Sequence, residues 1–168
     1  MKNQKRYREC GEYGDILEQF AETVSDSRER TEDMLITREC DYAVRVIRAL
    51  SGEERLSVSD ICEKESITAP FAYKILKKLQ KAKIVRGFRG VHGGYSLNRD
   101  LAEISLLDVY MAVDPEMMII ECLDPDYDCV RDGDSGVPCL VHKELAQIQQ
   151  ELWKMLGRKS LGELFGTH

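Results

Sequence analysis

The sequence has no apolar run approaching the roughly 18 residues that a membrane-crossing helix needs. Its N-terminal stretch, MKNQKRYRECGEYGDILEQF, also lacks the apolar centre and small-residue cleavage site of a secretory signal. Together these absences predict a cytoplasmic protein with no membrane partner. There is no phosphate-cradling glycine loop, nucleophile elbow or paired metal-catalytic motif, so an enzyme is not expected. At 168 residues and 43% hydrophobic, the chain can bury one modest core, with no room for two large independent domains.

The most telling absence is of acid. Between Ala69 and Arg99 there is no Asp or Glu, yet the segment holds Lys74, Lys77, Lys78, Lys81, Lys83, Arg86, Arg89 and Arg99. It carries +8 within a chain of net charge −6, which leaves −14 on the remainder. A lysine run taken alone is usually a solvated helix face. Such a length without a compensating acid, in an acidic chain, points instead to a polyanionic partner.

Residues 1–33 form a highly charged extension in which Tyr13, Ile16, Leu17, Phe20, Ala21 and Val24 recur at helical spacing, predicting a short amphipathic helix. A more orderly pattern begins at Met34. Thr37 is placed to cap a helix with Tyr42, Ala43, Val46, Ile47 and Leu50 on its apolar face and Gly52 as its stop. In LSVSDI, Ser57 and Asp60 make an acidic variant of the capping box, with Leu56 and Ile61 as a hydrophobic staple. Ser66-Ile67-Thr68 reads as a tight turn. Thr68 then caps a third helix with Phe71, Ala72, Ile75, Leu76 and Leu79 inward and Tyr73, Lys74, Lys77, Lys78 and Lys81 on the other face. The short runs IVRGF and YSL, joined by RGVHGG, predict a hairpin whose glycines supply the turn.

Two helices, a turn, a basic helix and a basic hairpin follow the order of a winged helix-turn-helix, assigned to residues 34–100. The fold class expected is mainly α, with a small β-hairpin wing and a C-terminal dimerisation helix. In residues 101–168, Ser105 and Asp108 mark a fourth helix with Ile104 stapled to Val109. HKELAQIQQELWKML places Leu145, Ile148, Leu152 and Met155 at the spacing of two helices packed side by side. That seam fits a homodimer, or else packing on the chain's own domain. SLGELF closes the chain as a short helical turn.

Residues 121–142, ECLDPDYDCVRDGDSGVPCLVH, fit no helix or strand and contain three of the six cysteines. A metal, a disulfide or nothing holds such a segment; a reducing cytosol disfavours the disulfide. An EF-hand reading of its start fails, because Cys129 stands where glycine is needed and Ser135 where glutamate is needed. Of the other cysteines, Cys40 and Cys62 lie on or beside apolar helix faces and read as small packing residues, and Cys10 falls in the extension.

CDYAVRVIRAL, FAYKILKKLQKAKIV, RGVHGGYSL, ISLLDVYMAVD, the three-cysteine loop and SLGELF, taken in order from Met34 to Phe165, resemble the Rrf-two family of bacterial transcription regulators. The resemblance implies a homodimeric winged-helix repressor or activator that binds double-stranded DNA at a palindromic operator. It also implies an iron–sulfur cluster, 2Fe-2S or 4Fe-4S, that reports redox state, nitric oxide or iron–sulfur supply. Cys122, Cys129 and Cys139 fall on the family's cysteine ligands. Its fourth ligand corresponds either to His142 or to Asp41, the latter donated by the partner chain. The spacing C-x6-C-x9-C is wider than the family's, which bears on the cluster type, and the 33-residue extension is no part of it.

Three thiolates suit soft or borderline metals, and a Cys3His set with Cys139-x-x-His142 is also a tetrahedral zinc pattern, so zinc stands as the alternative cofactor. Asp41 has the plain reading of a carboxylate in a first helical turn, and His142 that of an exposed residue opening its helix. On the DNA side, Tyr73, Lys74, Lys77 and Lys78 are expected against the major groove and its phosphates, and Arg89 with His92 at the wing tip against the minor groove. A cluster-free regulator, or a zinc-stabilised interaction adaptor, is the competing function.

Overall fold

The computed structural model describes residues 36–90, 93–115, 117–124 and 139–166. The helix expected in residues 1–33 lies outside them, as do His92 and Cys129.

Helix α1 (Arg38–Leu50) follows Thr37, and its stripe of Ala43, Val46, Ile47 and Leu50 is completely buried. Thr37 occupies the cap position, but its hydroxyl donates to Cys40 Sγ at 3.5 Å and caps no backbone amide. Helix α2 (Val58–Glu65) starts at the expected box: Ser57 N donates to Asp60 Oδ2 at 3.0 Å, and Asp60 N returns a bond to Ser57 Oγ at 3.2 Å. Leu56 and Ile61, the staple pair, are both buried. Helix α2 ends at Ser66, whose left-handed backbone (φ 54°) lets Ile67 N donate to Cys62 O at 3.2 Å. This turn sets the angle between α2 and α3.

Helix α3 (Ala69–Lys81) buries Ala72, Ile75, Leu76 and Leu79. Phe71 corrects the expected pattern: it is 46% exposed and lies against the Tyr42 ring at 5.5 Å. Its position is at the margin of the 72-75-76-79 stripe, beside the Tyr42 ring of α1. The strands β1 (Val85–Phe88) and β2 (Gly94–Leu97) pair antiparallel, with Val85 opposite Leu97. Leu56 extends this hairpin, because Leu56 N donates to Tyr95 O at 3.0 Å and Tyr95 N to Leu56 O at 2.8 Å.

A 3-10 turn (Leu101–Glu103) leads to α4 (Leu106–Val113), opened by the Ser105–Asp108 box with Ile104 and Val109 fully buried. Helix α5 (Leu140–Gly157) begins two residues before the expected start, with Cys139 as its N-cap. Helix α6 (Leu161–Phe165) has a further capping box, Ser160 with Glu163, and docks through Leu161 N donating to Ile104 O at 2.7 Å. One buried cluster joins α1, α2, α3 and β1 to Leu101, Ile104, Val109 and Leu161. Among the described residues no helix is long and apolar enough to cross a membrane.

The turn end of the hairpin depends on Gly94. Its φ is +149°, and a Cβ there would stand 2.5 Å from the Leu56 carbonyl oxygen. Gly94→Ala is therefore expected to lower unfolding free energy by about 1–3 kcal/mol, as backbone strain of this kind does, measured by urea titration.

Candidate nucleic-acid interface and cysteine segment

Helix α3 turns its buried stripe toward α1 and leaves Tyr73, Lys74, Lys77 and Lys81 exposed, with Lys78 half-buried. These basic residues are not equivalent. Lys74 and Lys78 both ion-pair with Glu39 of α1, and Lys78 Nζ also donates to the Val113 carbonyl at 2.6 Å. Burial pushes the Glu39 carboxyl upward, but the hydrogen bonds from Lys74 and Lys78 outweigh it and hold the group below its ordinary value. Tyr73 and Lys77 lie one turn apart, both exposed, beside that pairing.

Arg89 is exposed where β1 leaves the hairpin, and Gly90 (φ +100°) begins the wing turn. Behind it, Phe88 lies under the guanidinium carbons of Arg55, at 3.9 Å, and of Arg86, at 5.3 Å. Arg86 also donates to Ser96 Oγ at 3.0 Å. Two cations thus share one ring at the base of the wing, each attracted by the negative face of the aromatic system.

Cys122 lies in a 3-10 turn (Glu121–Leu123), and this turn packs on α5, the helix that Cys139 caps. Both thiols are half-buried, as is His142 in the first turn of α5. Cys139, the N-cap, and His142 are three apart at the start of that helix. The turn is fastened by Gln149, which is 3% exposed: its Oε1 accepts from Ile119 N at 2.8 Å, and its Nε2 donates to Met117 O at 3.5 Å. Asp41 is elsewhere, in the first turn of α1, paired with Arg45 at 2.8 Å. Among the described residues no three Cys, His, Asp or Glu side chains form a metal-sized group. Cys40 is fully buried, and burial pushes its thiol up, consistent with a packing residue.

Three contributors were not identified from sequence: Glu39, Arg55 and Gln149. Glu39 and Arg55 act across the fold, so no local pattern marks them. Gln149 carried a weak signal, a polar residue on the inward side of an amphipathic helix.

The geometry defines a winged helix-turn-helix, with an exposed basic helix and hairpin. Residues 36–167 match the profile of the Rrf2 family, described as iron-dependent transcriptional regulator. The chain belongs to the Rrf2 family of transcriptional regulators. The HTH-type transcriptional regulator IscR of Vibrio vulnificus is 30% identical over 138 residues, covering 80% of this chain and 79% of that one. Protein aau3 of Rhizobium meliloti is 30% identical over 115 residues, covering 67% and 75%. Among solved structures, T. potens IscR superposes with a TM-score of 0.59 at 19% identity, over 80% of this chain and 88% of that one. The oxidized form of Staphylococcus aureus CymR gives 0.58 at 18%, over 79% and 96%. These structures share the winged-helix fold, and the relatives with stated roles are regulators of transcription.

Gln149→Leu deprives the Ile119 amide of its acceptor and is expected to destabilise by about 1–3 kcal/mol. Amide exchange at Ile119, with thermal unfolding of the same variant, measures whether that loosening is local.

Proposed function

We propose that this DNA-binding regulator acts as a homodimer on a palindromic operator and is controlled by an iron–sulfur cluster on Cys122, Cys129 and Cys139, with His142 or Asp41 as fourth ligand. The observation that carries the reading is the fastening of the Cys122 turn to α5, the helix that opens at Cys139. Two of the thiols are borne by elements that touch, the clamp at Gln149 lying ten residues along α5 from Cys139. The donor set fits: thiolates hold such clusters. When bound, a cluster of this kind supplies redox chemistry and reactivity toward small oxidants or nitric oxide.

The chain's own residues do the remaining work. Tyr73, Lys74 and Lys77 of α3 meet the major groove and its phosphates, and Arg89 enters or lines the minor groove. On α5, Gln149, Trp153 and Leu156 face inward, while Ile148 is 49% and Met155 63% exposed. That open seam, continued by half-buried Leu145 and Leu152, is what a second copy would cover. Zinc is the second reading of the same donors, favoured by the Cys139-x-x-His142 spacing at the start of α5.

Anaerobic purification with iron, zinc and acid-labile sulfide analysis tests the cofactor. Brown protein with matched iron and sulfide is expected; colourless protein with stoichiometric zinc rejects the sensor reading. Absorption spectra of Asp41→Ala and His142→Ala then separate the two fourth ligands. For the DNA face, Lys77→Ala with Arg89→Ala is expected to abolish duplex binding at moderate salt, and unchanged binding in a mobility-shift assay favours the adaptor.

A further inference from the structure

A lysine on a recognition helix is ordinarily assigned to phosphate, but the surroundings of Lys78 assign it elsewhere. Its Nζ lies 2.5 Å from Glu39 Oε2 and 2.6 Å from the Val113 carbonyl, so two of its three protons point at α1 and at the last residue of α4. The carbonyls closing a helix have no partner within it, and an ammonium there meets both the unpaired oxygen and the negative end of the helix dipole. Val113 is 2% exposed, so this carbonyl belongs to a residue with little access to water. Moving Lys78 onto a phosphate would break both contacts and leave a buried acceptor to find another donor. Lys77, the next residue, is exposed, and no ion pair involves it among the described residues.

Beyond Val113 the chain runs directly toward the cysteines through a series of anchors. Asp114 N donates to Tyr110 O at 2.7 Å, and Met117 N to Asp114 O at 3.3 Å. Met117 is 4% exposed, and its carbonyl, like the Ile119 amide, is held by Gln149; the Cys122 turn follows. Lys78 is therefore where the recognition helix meets the root of the cysteine-bearing segment. Glu39 supplies a second fixed point on α1 and is shared with Lys74, whose exposed side chain is free to swing away without disturbing α4.

We propose that Lys78, with Glu39, is a positioning joint that sets the recognition helix relative to the segment carrying Cys122, and that Lys78 takes no DNA phosphate. The proposal rests on the regulator reading above, and its link to cofactor state rests on the cysteine reading. A displacement of the Cys122 turn reaches α3 through Met117, the Val113 carbonyl and the Lys78 ammonium.

The test uses a duplex recovered by the unmodified protein from a random-sequence DNA pool, with affinity measured by fluorescence anisotropy across a sodium chloride series. Lys77→Met is expected to reduce the slope of log affinity against log salt by about one, the signature of a lost phosphate contact. Lys78→Met is expected to leave the slope unchanged while weakening binding, Glu39→Gln to weaken it as well, and the double variant to be no weaker than either single. A slope reduced by Lys78→Met as it is by Lys77→Met, or tighter binding by Glu39→Gln through release of its lysines, overturns the joint. If Lys78→Met does not fold, the sign of the Glu39→Gln effect decides.

A second arm compares anaerobically purified protein before and after treatment with an iron chelator. An affinity ratio within about 5- to 150-fold, typical of coupled sites, is expected for the unmodified protein, collapsing toward one in Lys78→Met. A ratio that persists in the variant overturns the coupling. A ratio of one in the unmodified protein rejects the cysteine reading instead, and the salt slopes then decide the role of Lys78 alone.

Discussion

The burial of one face of α1 is the constraint on which the rest of the structure depends. Ala43, Val46, Ile47 and Leu50 have no exposed surface, and α2, α3, α4 and β2 all pack on this helix. Each large apolar side chain so buried contributes about 1.5–3 kcal/mol, which over three residues is comparable to the net stability of a small domain. The angle at which α3 is presented, the seating of the wing and the docking of α4 are all set against α1. The basic helix, the wing and the helix that leads to the cysteine segment thus share one reference element.

Electrostatics follows from the same arrangement. The acid-free run from Ala69 to Arg99 looks like eight unopposed cations when read along the chain. Folding brings Glu39 beneath two of them, so the charge offered to a polyanion is smaller and more localised than the count suggests. What stays open is a narrower strip through Tyr73, Lys77 and Lys81, continuing to Arg89 at the wing. Membership of the Rrf2 family makes DNA the polyanion.

Much of the fold was legible because the signals were local. The Ser57–Asp60 and Ser105–Asp108 boxes start α2 and α4 where reciprocal hydrogen bonds predict, and the glycines around the wing mark the hairpin. Local reasoning failed where a distant element decided the outcome. Thr37 and Thr68 sit at the caps of α1 and α3 without a capping side-chain bond, the Thr37 hydroxyl going instead to a thiol. Phe71 has the right residue type and nearly the right phase, yet the core ends before reaching it. Within the candidate site, the basic residues were visible from composition, but their division into paired and unpaired lysines needed the placement of a glutamate thirty-five residues before the first of them. The cysteine stretch announced unusual chemistry by composition; the clamp that holds its first turn came from Gln149, about thirty residues away in sequence.

The pairing of Leu56 with Tyr95 has a mechanical meaning. Because the lead-in to α2 and the second wing strand are joined by hydrogen bonds in both directions, the wing is braced to the body that carries the recognition helix. In the proposed DNA complex, helix and wing are two jaws linked through this brace. A duplex that meets both jaws must bring its grooves to them, and base-pair steps that bend easily do so at the lowest elastic cost. Sequence preference can then arise at steps that no side chain touches, because the flexibility of DNA becomes part of what is read.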